Sequence, residues 1–266
     1  MNKKWALILG ASSGFGGATA IKLAEAGYGI IGIHLDRQAT MANVDAIKEK
    51  ITGFGSEALF YNINAADEEK RNSALDEIKE RFSESGEKIN VLMHSLAFGT
   101  LKDFITPDGK PGISPKQMNM TLDVMAHSIV YWTQGVVVRD LFADNGRIFG
   151  MTSSGSVEVI PTYGAVSAAK ATLESHIRQL AVELAHRGIT ANAIMAGVTD
   201  TPALRKIPGN DILLEGARAK NPTGRLTTPE DVANAIVLLS DERASFITGN
   251  VIQVDGGELI SAIRPV

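Results

Sequence analysis

A tyrosine and a lysine lie seven residues apart where a strand pattern gives way to a long helix pattern. Residues 147–151 have the apolar character of a buried strand, and the helix pattern covers about 164–186. Seven residues at roughly 100° each return to nearly the same helix face, so Tyr163 and Lys170 could point into one cleft. A phenol beside an ammonium can hydrogen-bond to, or protonate, a reacting oxygen. The same spacing also arises by chance, so the rest of the chain must decide.

A glycine-rich turn follows the first apolar run of the chain. Residues 5–9 form a strand pattern, and a helix pattern continues through Ala26. Glycines between a strand and a helix let the backbone approach a pyrophosphate, whose charge is met by the amides at the helix N-terminus. The spacing is GxxxGxG, and a purely structural glycine turn is the alternative. The residues expected to bind a dinucleotide here are Gly10, Ser12, Ser13, Gly14, Phe15 and Gly16.

A second strand pattern at residues 30–35 completes a βαβ unit and ends in residues that could select the cofactor. An acid at this place accepts a hydrogen bond from the ribose 2′-hydroxyl, whereas a basic residue meets a 2′-phosphate. His34 stands where the carboxylate is expected, so the sequence favours NADPH, with Arg37 on the phosphate. NADH stays open because Asp36 is present as well. Asp36 and Arg37 as a solvated pair in a turn are the third reading.

Three further strand ends face the same edge of the predicted sheet. The strand patterns cover residues 57–63, 88–94 and 189–195. The carboxyl ends of parallel strands line the ligand crevice of an open sheet, and small residues there permit close approach of a ligand. The further residues assigned to cofactor binding are Asn62, Ile63, Ser95, Leu96, Ala97, Gly197, Val198 and Thr201.

Two segments with little periodicity are expected to cover this edge. Residues 100–118 are rich in Pro, Gly and Asp, and loops of that length in compact domains are commonly lids or substrate walls. An ordered surface loop is the alternative. Residues 202–227 are irregular apart from a helical turn near 213–219. Substrate-binding segments are therefore predicted at about 99–118 and 198–227.

Strand and helix patterns alternate along the chain and predict a single NAD(P)-binding domain over residues 1–266. A last strand pattern lies within 245–257. Seven strands with intervening helices and no internal repeat imply an α/β fold with a doubly wound, Rossmann-type parallel sheet. The remaining helix patterns occupy residues 45–50, 67–83, 121–142 and 228–239.

Composition excludes several functional classes. The 266 residues have a formal charge of −4, which leaves no basic surface of the size that nucleic acid requires. Cysteine is absent and the five histidines lack ligand spacing, so neither a disulfide nor a metal site is predicted. The apolar run after Lys3 and Lys4 is too short for a signal peptide. We expect a cytoplasmic protein without nucleic-acid or membrane partners.

The glycine motif, Ser153, Tyr163, Lys170 and the tail TGNVIQVDGG together resemble the short-chain dehydrogenase/reductase family over the whole chain. That family usually spaces its tyrosine and lysine as Tyr-x3-Lys, and here Val166 stands four residues before the lysine. The spacing Tyr-x6-Lys is similar to that of the enoyl-[acyl-carrier-protein] reductases within the family. Three further segments resemble those reductases: His94 to Phe98, Ile160 to Glu174, and Ala196 with Gly197.

The resemblance implies roles for individual residues. In the family a serine and a tyrosine polarise the substrate carbonyl, while a lysine holds the nicotinamide ribose and lowers the pKa of the tyrosine. Many enoyl reductases lack the ordinary glycine motif that this chain keeps, and many carry a second tyrosine where this chain has Ser153. The implied catalytic residues are Tyr163, Lys170 and Ser153, with Lys170 also binding cofactor, and the implied substrate contacts are Phe98, Gly99, Ile160 and Tyr163.

A physical argument supports the shifted tyrosine. In a 2-enoyl thioester the hydride goes to the β-carbon, while charge collects on the carbonyl oxygen, which is two bonds further from the hydride-accepting carbon than in a ketone. The hydrogen-bond donor must therefore stand farther from the nicotinamide than in ketone reduction. Moving the tyrosine back along the helix while the lysine stays in place achieves this. Tyr163 is then expected to stabilise the enolate oxygen, with Lys170 holding the ribose and favouring the charged or donating tyrosine.

The resemblance thus implies an enoyl-[acyl-carrier-protein] reductase of fatty-acid synthesis that uses NADPH or NADH. Its enoyl substrate would arrive on an acidic carrier protein. The helix patterns at 121–142 and 164–186 resemble those that pair in the family's homotetramers, so a tetramer is expected. The candidate contacts for the carrier protein, which could equally be solvated charges, are Arg205, Lys206, Arg218 and Lys220.

Two other functions remain open from the sequence. A carbonyl or hydroxyl oxidoreductase of the same family, such as a 3-oxoacyl or steroid/sugar reductase, would use Ser153 together with Tyr163. A dinucleotide-sensing protein without catalysis would need only the glycine turn, and the retention of Ser153, Tyr163 and Lys170 argues against it. Reduced dinucleotide mixed with a 2-enoyl or a 3-oxoacyl thioester separates the three.

Overall fold

A computed structural model describes residues 3–262, so residues 1–2 and 263–266 of the predicted domain lie outside the described part. The seven strands form one parallel sheet in the order β3-β2-β1-β4-β5-β6-β7. The predicted doubly wound Rossmann-type sheet is therefore confirmed. The strands are β1 (Lys4–Leu9), β2 (Gly29–His34), β3 (Ala58–Asn62), β4 (Lys88–His94), β5 (Phe142–Ser153), β6 (Thr190–Ala196) and β7 (Val251–Val254).

Helices cover both faces of the sheet and bury two separate apolar cores. Leu23, Ile51 and Ile236 belong to the core on one face, and Leu75, Trp132 and Leu173 belong to the core on the other. The helices are α1 (Gly14–Glu25), α2 (Met41–Gly53), α3 (Glu68–Phe82), α4 (Pro115–Leu122), α5 (Ser128–Val138), α6 (Gly164–Glu183), α7 (Asn210–Lys220) and α8 (Pro229–Leu239).

The central strands are apolar along their length because both of their faces are covered. From Trp5 to Leu9 every side chain of β1 is fully buried, and β2 is buried throughout. The strand order reverses between β1 and β4, which are neighbours in the sheet. At such a point the outgoing connections separate and leave a crevice beyond the carboxyl ends of the strands. No helix within residues 3–262 combines the length and the apolar character needed to span a bilayer.

The predicted helix at 121–142 has different bounds in the structure. It begins at Pro115, passes through a π-helical turn at Asp123–His127, and ends at Val138. Ser114 forms a capping box, in which its hydroxyl accepts from the amide of Gln117 and its own amide donates to the Gln117 side chain. The predicted loop at 100–118 therefore stops at 114. Proline and serine suggested a loop there, although together they start a helix.

Three other element predictions also need correction. Strand β5 starts at Phe142 rather than at residue 147, because Phe142 already pairs with Ile89 of β4. The pairing is interrupted between Phe142 and Arg147, where Asn145 has φ of +57°. The segment 202–227 contains the regular helix α7 rather than one helical turn. The last strand occupies only Val251–Val254 of the predicted 245–257, since turns flank it on both sides.

Candidate active site

The turn after β1 presses glycine backbone against neighbouring backbone. Gly10 has φ of +90°, and a Cβ at this position would lie 2.5 Å from the carbonyl oxygen of Ser95. A Cβ on Gly16 would lie 2.1 Å from the carbonyl oxygen of Gly10. Real Cβ atoms do not approach backbone that closely, so both positions require glycine. The turn is thereby drawn tight against the start of the β4–α4 connection.

Helix α1 starts directly from this turn without a side-chain cap. Ser13 is the N-cap residue, yet its hydroxyl makes no capping hydrogen bond, and the first turn carries no acid. The first amides of a helix have no partner within the helix, and the helix dipole makes this end positive. The amides of Gly14, Phe15 and Gly16 are thus left for an external acceptor. These features fit the pyrophosphate of a dinucleotide.

At the end of β2, His34 turns into the protein instead of toward the crevice. Its ring is buried and its Nδ1 lies 3.0 Å from Oδ2 of Asp36. Burial alone would raise the pKa of Asp36, but hydrogen bonds from Ser12, Thr40 and His34 outweigh it and lower the pKa. Asp36 therefore stays ionised beside the glycine turn. The sequence alone had favoured His34 and Arg37 over Asp36 as the residues that select the cofactor.

Asn62, at the end of β3, clamps the main chain of Asp36. Its Oδ1 accepts from the Asp36 amide and its Nδ2 donates to the Asp36 carbonyl, each at 2.9 Å. The amide of Ile63 donates to the His34 carbonyl at 2.8 Å. Arg37 is exposed and has no side-chain partner among residues 3–262. These hydrogen bonds tie the ends of β2 and β3 together and fix the position of Asp36.

The end of β4 carries a buried histidine that sequence reasoning quoted without assigning it a role. His94 is fully buried, and its Nε2 lies 2.8 Å from the hydroxyl of Ser128, which itself donates to the Val124 carbonyl. Burial, and secondarily the charge of Lys170, lower the His94 pKa to about 3. A neutral imidazole therefore ties the end of β4 to the π-helical turn. Its Nδ1 has no partner within the described residues.

The residues that follow β4 continue into the crevice. The Ser95 amide donates to the Leu9 carbonyl at 2.8 Å, and Leu96 packs against the core. Ala97 and Phe98 are exposed. A Cβ on Gly99 would collide with three side chains, those of Thr121, Met125 and Val166.

Tyr163 occupies the N-cap of α6 rather than its interior. Its carbonyl oxygen accepts from the Ser167 amide at 2.8 Å, so Tyr163 makes the first hydrogen bond of the helix that carries Lys170. That the two side chains share one cleft stays a prediction. The preceding residue, Thr162, has φ of +63°, an uncommon and strained conformation for a β-branched residue. This backbone orients the Tyr163 ring onto Gly155, where a Cβ would lie 2.6 Å from ring atom Cε1. The tyrosine is thus directed by the loop that follows β5.

Ser153, the last residue of β5, faces the tyrosine. Burial raises the pKa of Tyr163, and the nearby Ser153 hydroxyl partly opposes that rise. The two groups nevertheless stop short of hydrogen-bond geometry, and the Ser153 hydroxyl has no partner within residues 3–262. The hydroxyls of Ser153 and Tyr163 are therefore both available to donate to one acceptor.

Lys170 lies inside the protein beneath the same strand. Its Nζ donates to the carbonyl oxygen of Met151 at 2.7 Å, and its side chain is buried. Burial lowers the Lys170 pKa to about 8, against the opposing effect of Glu174. Glu174 in turn accepts from the Thr152 hydroxyl at 2.6 Å. The ammonium is thus held at the end of β5 with donors to spare.

The segment after β6 forms the opposite wall of the crevice. Thr201 is buried, and a Cβ on Gly14 would lie 3.6 Å from its methyl group, so this segment reaches the glycine turn. The amide of Val198 donates to the side chain of Glu258. A Cβ on Gly197 would lie 2.3 Å from the Thr227 hydroxyl.

The predicted substrate side is more open than the glycine side. Phe98 is 64% exposed, and the carbonyl of Ile160 accepts from the Tyr163 amide at 3.1 Å. From the loop before α4, Phe104 lays its ring against Gly164, where a Cβ would lie 2.5 Å from the ring. This loop therefore reaches the residue next to Tyr163.

The four basic residues of the 202–227 segment differ in their environments. Arg205 pairs with Asp200 at 2.7 Å, and Lys220 lies 3.4 Å from Glu158. Lys206 and Arg218 are exposed and have no ion-pair partner within the described range. Two of the four are thus committed to contacts inside the chain.

Sequence reasoning assigned no role to several groups around the crevice. They are His94, Glu174, Asp255 and Glu258. Only the run Asp255-Gly-Gly-Glu258 gave a signal in the sequence. The others depend on contacts between distant segments.

A family model described as "Enoyl-(Acyl carrier protein) reductase" matches residues 10–258. Enoyl-[acyl-carrier-protein] reductase [NADH] FabI of Aquifex aeolicus is 30% identical over 217 residues, which are 82% of this chain and 77% of that protein. The crystal structure of the Aquifex aeolicus enoyl-[acyl-carrier-protein] reductase (NADH) superposes with a TM-score of 0.83 at 27% identity, covering 98% of each chain.

A relative with a different activity is almost as similar. The 3-oxoacyl-[acyl-carrier-protein] reductase FabG of Thermotoga maritima is 28% identical over 257 residues, covering 97% of this chain and 98% of that protein. The similarity therefore identifies a family of reductases more firmly than one reaction. The chain belongs to the enoyl-(acyl carrier protein) reductase family, within the short-chain dehydrogenase/reductase superfamily of oxidoreductases.

Proposed function

We propose that this protein is an enoyl-[acyl-carrier-protein] reductase, which reduces the 2,3 double bond of trans-2-enoyl thioesters with NAD(P)H in cytoplasmic fatty-acid synthesis. The observation that carries the proposal is the position of Tyr163 at the α6 N-cap, beside Ser153. Val166 stands where Tyr-x3-Lys spacing would put a tyrosine, and it is buried in the core. Only Tyr163 offers a phenol on this helix, one turn farther from the lysine.

Tyr163 acts as a neutral hydrogen-bond donor to the enolate oxygen. Its raised pKa keeps the phenol protonated at neutral pH, because burial disfavours the phenolate. Negative charge collects on the thioester oxygen as the β-carbon is reduced, so a donor fixed there stabilises the transition state more than the substrate. The strained Thr162 backbone helps to hold the phenol in place.

Lys170 positions the cofactor ribose. One N–H of its ammonium is committed to the Met151 carbonyl, which leaves two donors for ribose hydroxyls. A bound reduced dinucleotide supplies the hydride. The remaining proposed cofactor contacts are the glycine turn from Gly10 to Gly16 and the ends of β2, β3, β4 and β6 described above.

Asp36 supports NADH as the preferred reductant. A carboxylate ionised beside Ser12 can accept from a ribose 2′-hydroxyl, and it would repel a 2′-phosphate. The sequence favoured NADPH through His34 and Arg37, but His34 is buried and bonded to Asp36. Arg37 stays free to meet a phosphate, so NADPH remains the alternative to be compared in assays.

Residues 99–114 and 198–227, with Phe98, Gly99 and Ile160, are proposed to bind the acyl chain. Lys206 and Arg218 are the proposed contacts for an acidic carrier protein, because neither has a partner within the described residues. A homotetramer also stays a prediction.

Replacing Tyr163 by phenylalanine tests the main proposal. We expect turnover of a crotonyl thioester to fall about 100-fold, because one preorganised donor is lost, with the dinucleotide KM changed less than about twofold. Tyr131→Phe, on α5, is the matched control and should retain full activity. Full activity of Tyr163→Phe would remove this residue from the mechanism.

Charge reversal tests the carrier contacts. We expect the double variant Lys206→Glu/Arg218→Glu to raise the KM for carrier-bound enoyl substrate about fivefold, since complementary charge speeds encounter. The KM for the corresponding pantetheine thioester should not change. The control Lys50→Glu/Lys70→Glu reverses two exposed lysines elsewhere. An equal rise in this KM in both double variants would show an effect of net charge instead of a docking surface.

Carbonyl reduction is the second candidate function, and Ser153 is the observation that favours it. The Ser153 and Tyr163 hydroxyls face each other with no hydrogen bond between them, so both could donate to one ketone oxygen. The assay is consumption of reduced dinucleotide with a 2-enoyl or a 3-oxoacyl thioester. Consumption with the 3-oxoacyl substrate alone would replace the main proposal.

A further inference from the structure

Glu258 is a buried carboxyl group that the proposed mechanism does not use. It lies four residues beyond β7, is only 9% exposed, and has no ion-pair partner among residues 3–262. A carboxylate removed from water without a paired cation is costly, so its contacts must hold it there. Those contacts lie at the wall of the crevice.

Hydrogen bonds in the segment after β7 fix the position of the Glu258 side chain. Asp255 accepts from the amides of Gly257 and Leu259, each at 2.9 Å, and so closes a tight turn around residue 258. The Nδ2 of Asn221, just after α7, donates to the Asp255 carbonyl at 2.8 Å. Glu258 is therefore fixed from both the tail and the α7 segment.

Both oxygens of Glu258 engage the amide of Val198. The distances from the Val198 nitrogen are 3.2 Å to Oε1 and 3.3 Å to Oε2. A Cβ on Gly197 would lie 2.9 Å from Oε2, so glycine is what lets the carboxylate lie flat against the chain. A bond from an ionised acceptor is about twice as strong as a neutral one.

Val198 occupies a place where a ligand needs donors. It follows β6 at the sheet edge where ligands bind in this fold class, and Thr201, three residues on, meets the glycine turn. A dinucleotide held at the glycine turn therefore runs along this wall. The amide that it would meet is already donating to Glu258.

Charged groups from three segments surround the carboxyl group. Burial raises the pKa of Glu258 first, and Asp255 raises it further, while the Val198 amide, Lys220 and Asn221 lower it. Lys220, on α7, keeps only a 3.4 Å contact with Glu158 of the loop after β5. A released Glu258 thus has a cation close by to receive it.

We propose that Glu258 is a latch on the Val198 amide, which dinucleotide binding must displace. The inference rests only on the dinucleotide-binding part of the proposed function. While ionised, Glu258 withholds the amide and places a negative charge beside an anionic ligand. Once protonated, it accepts more weakly and the amide is released more easily. Dinucleotide affinity should therefore increase as pH falls through the Glu258 pKa.

The test measures direct binding of NADH and NADPH, without substrate, at pH 5.5 and pH 7.5. We expect Glu258→Gln to bind the preferred dinucleotide about fivefold more tightly than the parent at pH 7.5, because a neutral acceptor replaces a charged one. The difference should shrink at pH 5.5. Glu69→Gln, an exposed position on α3, is the matched control and should follow the parent.

A second measurement follows the latch itself. Hydrogen exchange of the Val198 amide, without nucleotide, should be faster in Glu258→Gln than in the parent, and thermal unfolding should show both proteins folded. Weaker or equal dinucleotide binding by the variant, or unchanged exchange at Val198, would overturn the latch. No dinucleotide binding by the parent would overturn the latch and the proposed function together. Normal dinucleotide binding without enoyl reduction would overturn the proposed function alone.

Discussion

The two sides of the crevice are held by different kinds of contact. On the glycine side, Gly10 and Gly16 press backbone against backbone, with no room for a Cβ. On the substrate side, one exposed ring, Phe104, rests on Gly164, and side-chain ion pairs such as Lys220 with Glu158 link the segments. A glycine packed against backbone cannot be replaced by a residue with a Cβ, whereas side chains that meet at the surface can be replaced by others. Substitutions should therefore be tolerated less on the glycine side than on the substrate side.

The sharpest way to break this comparison is to add one methyl group on the glycine side. In Gly16→Ala the new Cβ would meet the Gly10 carbonyl oxygen at 2.1 Å, so α1 must shift away from the turn. We expect dinucleotide affinity to fall more than about 100-fold and stability to fall by about 1–3 kcal/mol. Titration with NADH and thermal unfolding measure the two effects.

Gly53→Ala is the matched control, because a Cβ at Gly53 meets nothing within 4 Å. It should bind dinucleotide like the parent. Normal dinucleotide binding by Gly16→Ala would show that the glycine turn can shift to accommodate a Cβ at this position.

Lys170, between the two sides, gives an intermediate effect through pH. Its pKa of about 8 means that the ammonium, and with it a donor to the ribose, is lost above that pH. We expect dinucleotide affinity to fall about tenfold between pH 7 and pH 9, since a charged hydrogen bond is lost. In Lys170→Met the affinity should be lower at neutral pH and flat over this range. A pH-independent affinity in the parent would contradict the ribose role.

Stability should respond with the opposite sign. The folded pKa of Lys170 lies below its ordinary 10.5, so between pH 8 and 10.5 the unfolded chain binds more protons. The contribution of this residue to the free energy of unfolding therefore rises with pH across that window, by up to about 3 kcal/mol. Denaturant unfolding of the parent, compared with Lys170→Met, isolates this contribution. A parallel pH dependence of the two proteins would show that the lysine is not desolvated.

The smallest expected effect lies on the substrate side. Phe104→Ala removes the ring that covers Gly164, and we expect the KM for an enoyl thioester to rise about threefold through loss of apolar contact area. Dinucleotide affinity should stay the same. Phe246→Ala, at a fully exposed phenylalanine, is the control. A drop in dinucleotide affinity in Phe104→Ala would show that the substrate side also contributes to dinucleotide binding.

Local patterns were enough to predict the sheet, the glycine turn and the start of helix α6 next to Tyr163. Apolar runs, glycine spacing and helix periodicity act within a few residues, so they can be seen in the chain itself. Element bounds were less accurate. Ser114 and Pro115 look like a loop but start a helix, and β5 continues through an interruption because its partner strand supports it.

The sequence by itself determined the class of fold and the family, because these follow from backbone preferences and residue spacing. Only the tertiary structure decided that the Tyr163 ring lies against Gly155, that His34 is buried against Asp36, and that Glu258 reaches Val198. Contacts of this kind join segments that are distant in the chain or turn a side chain inward. Burial then sets the protonation of each group, which no local pattern encodes.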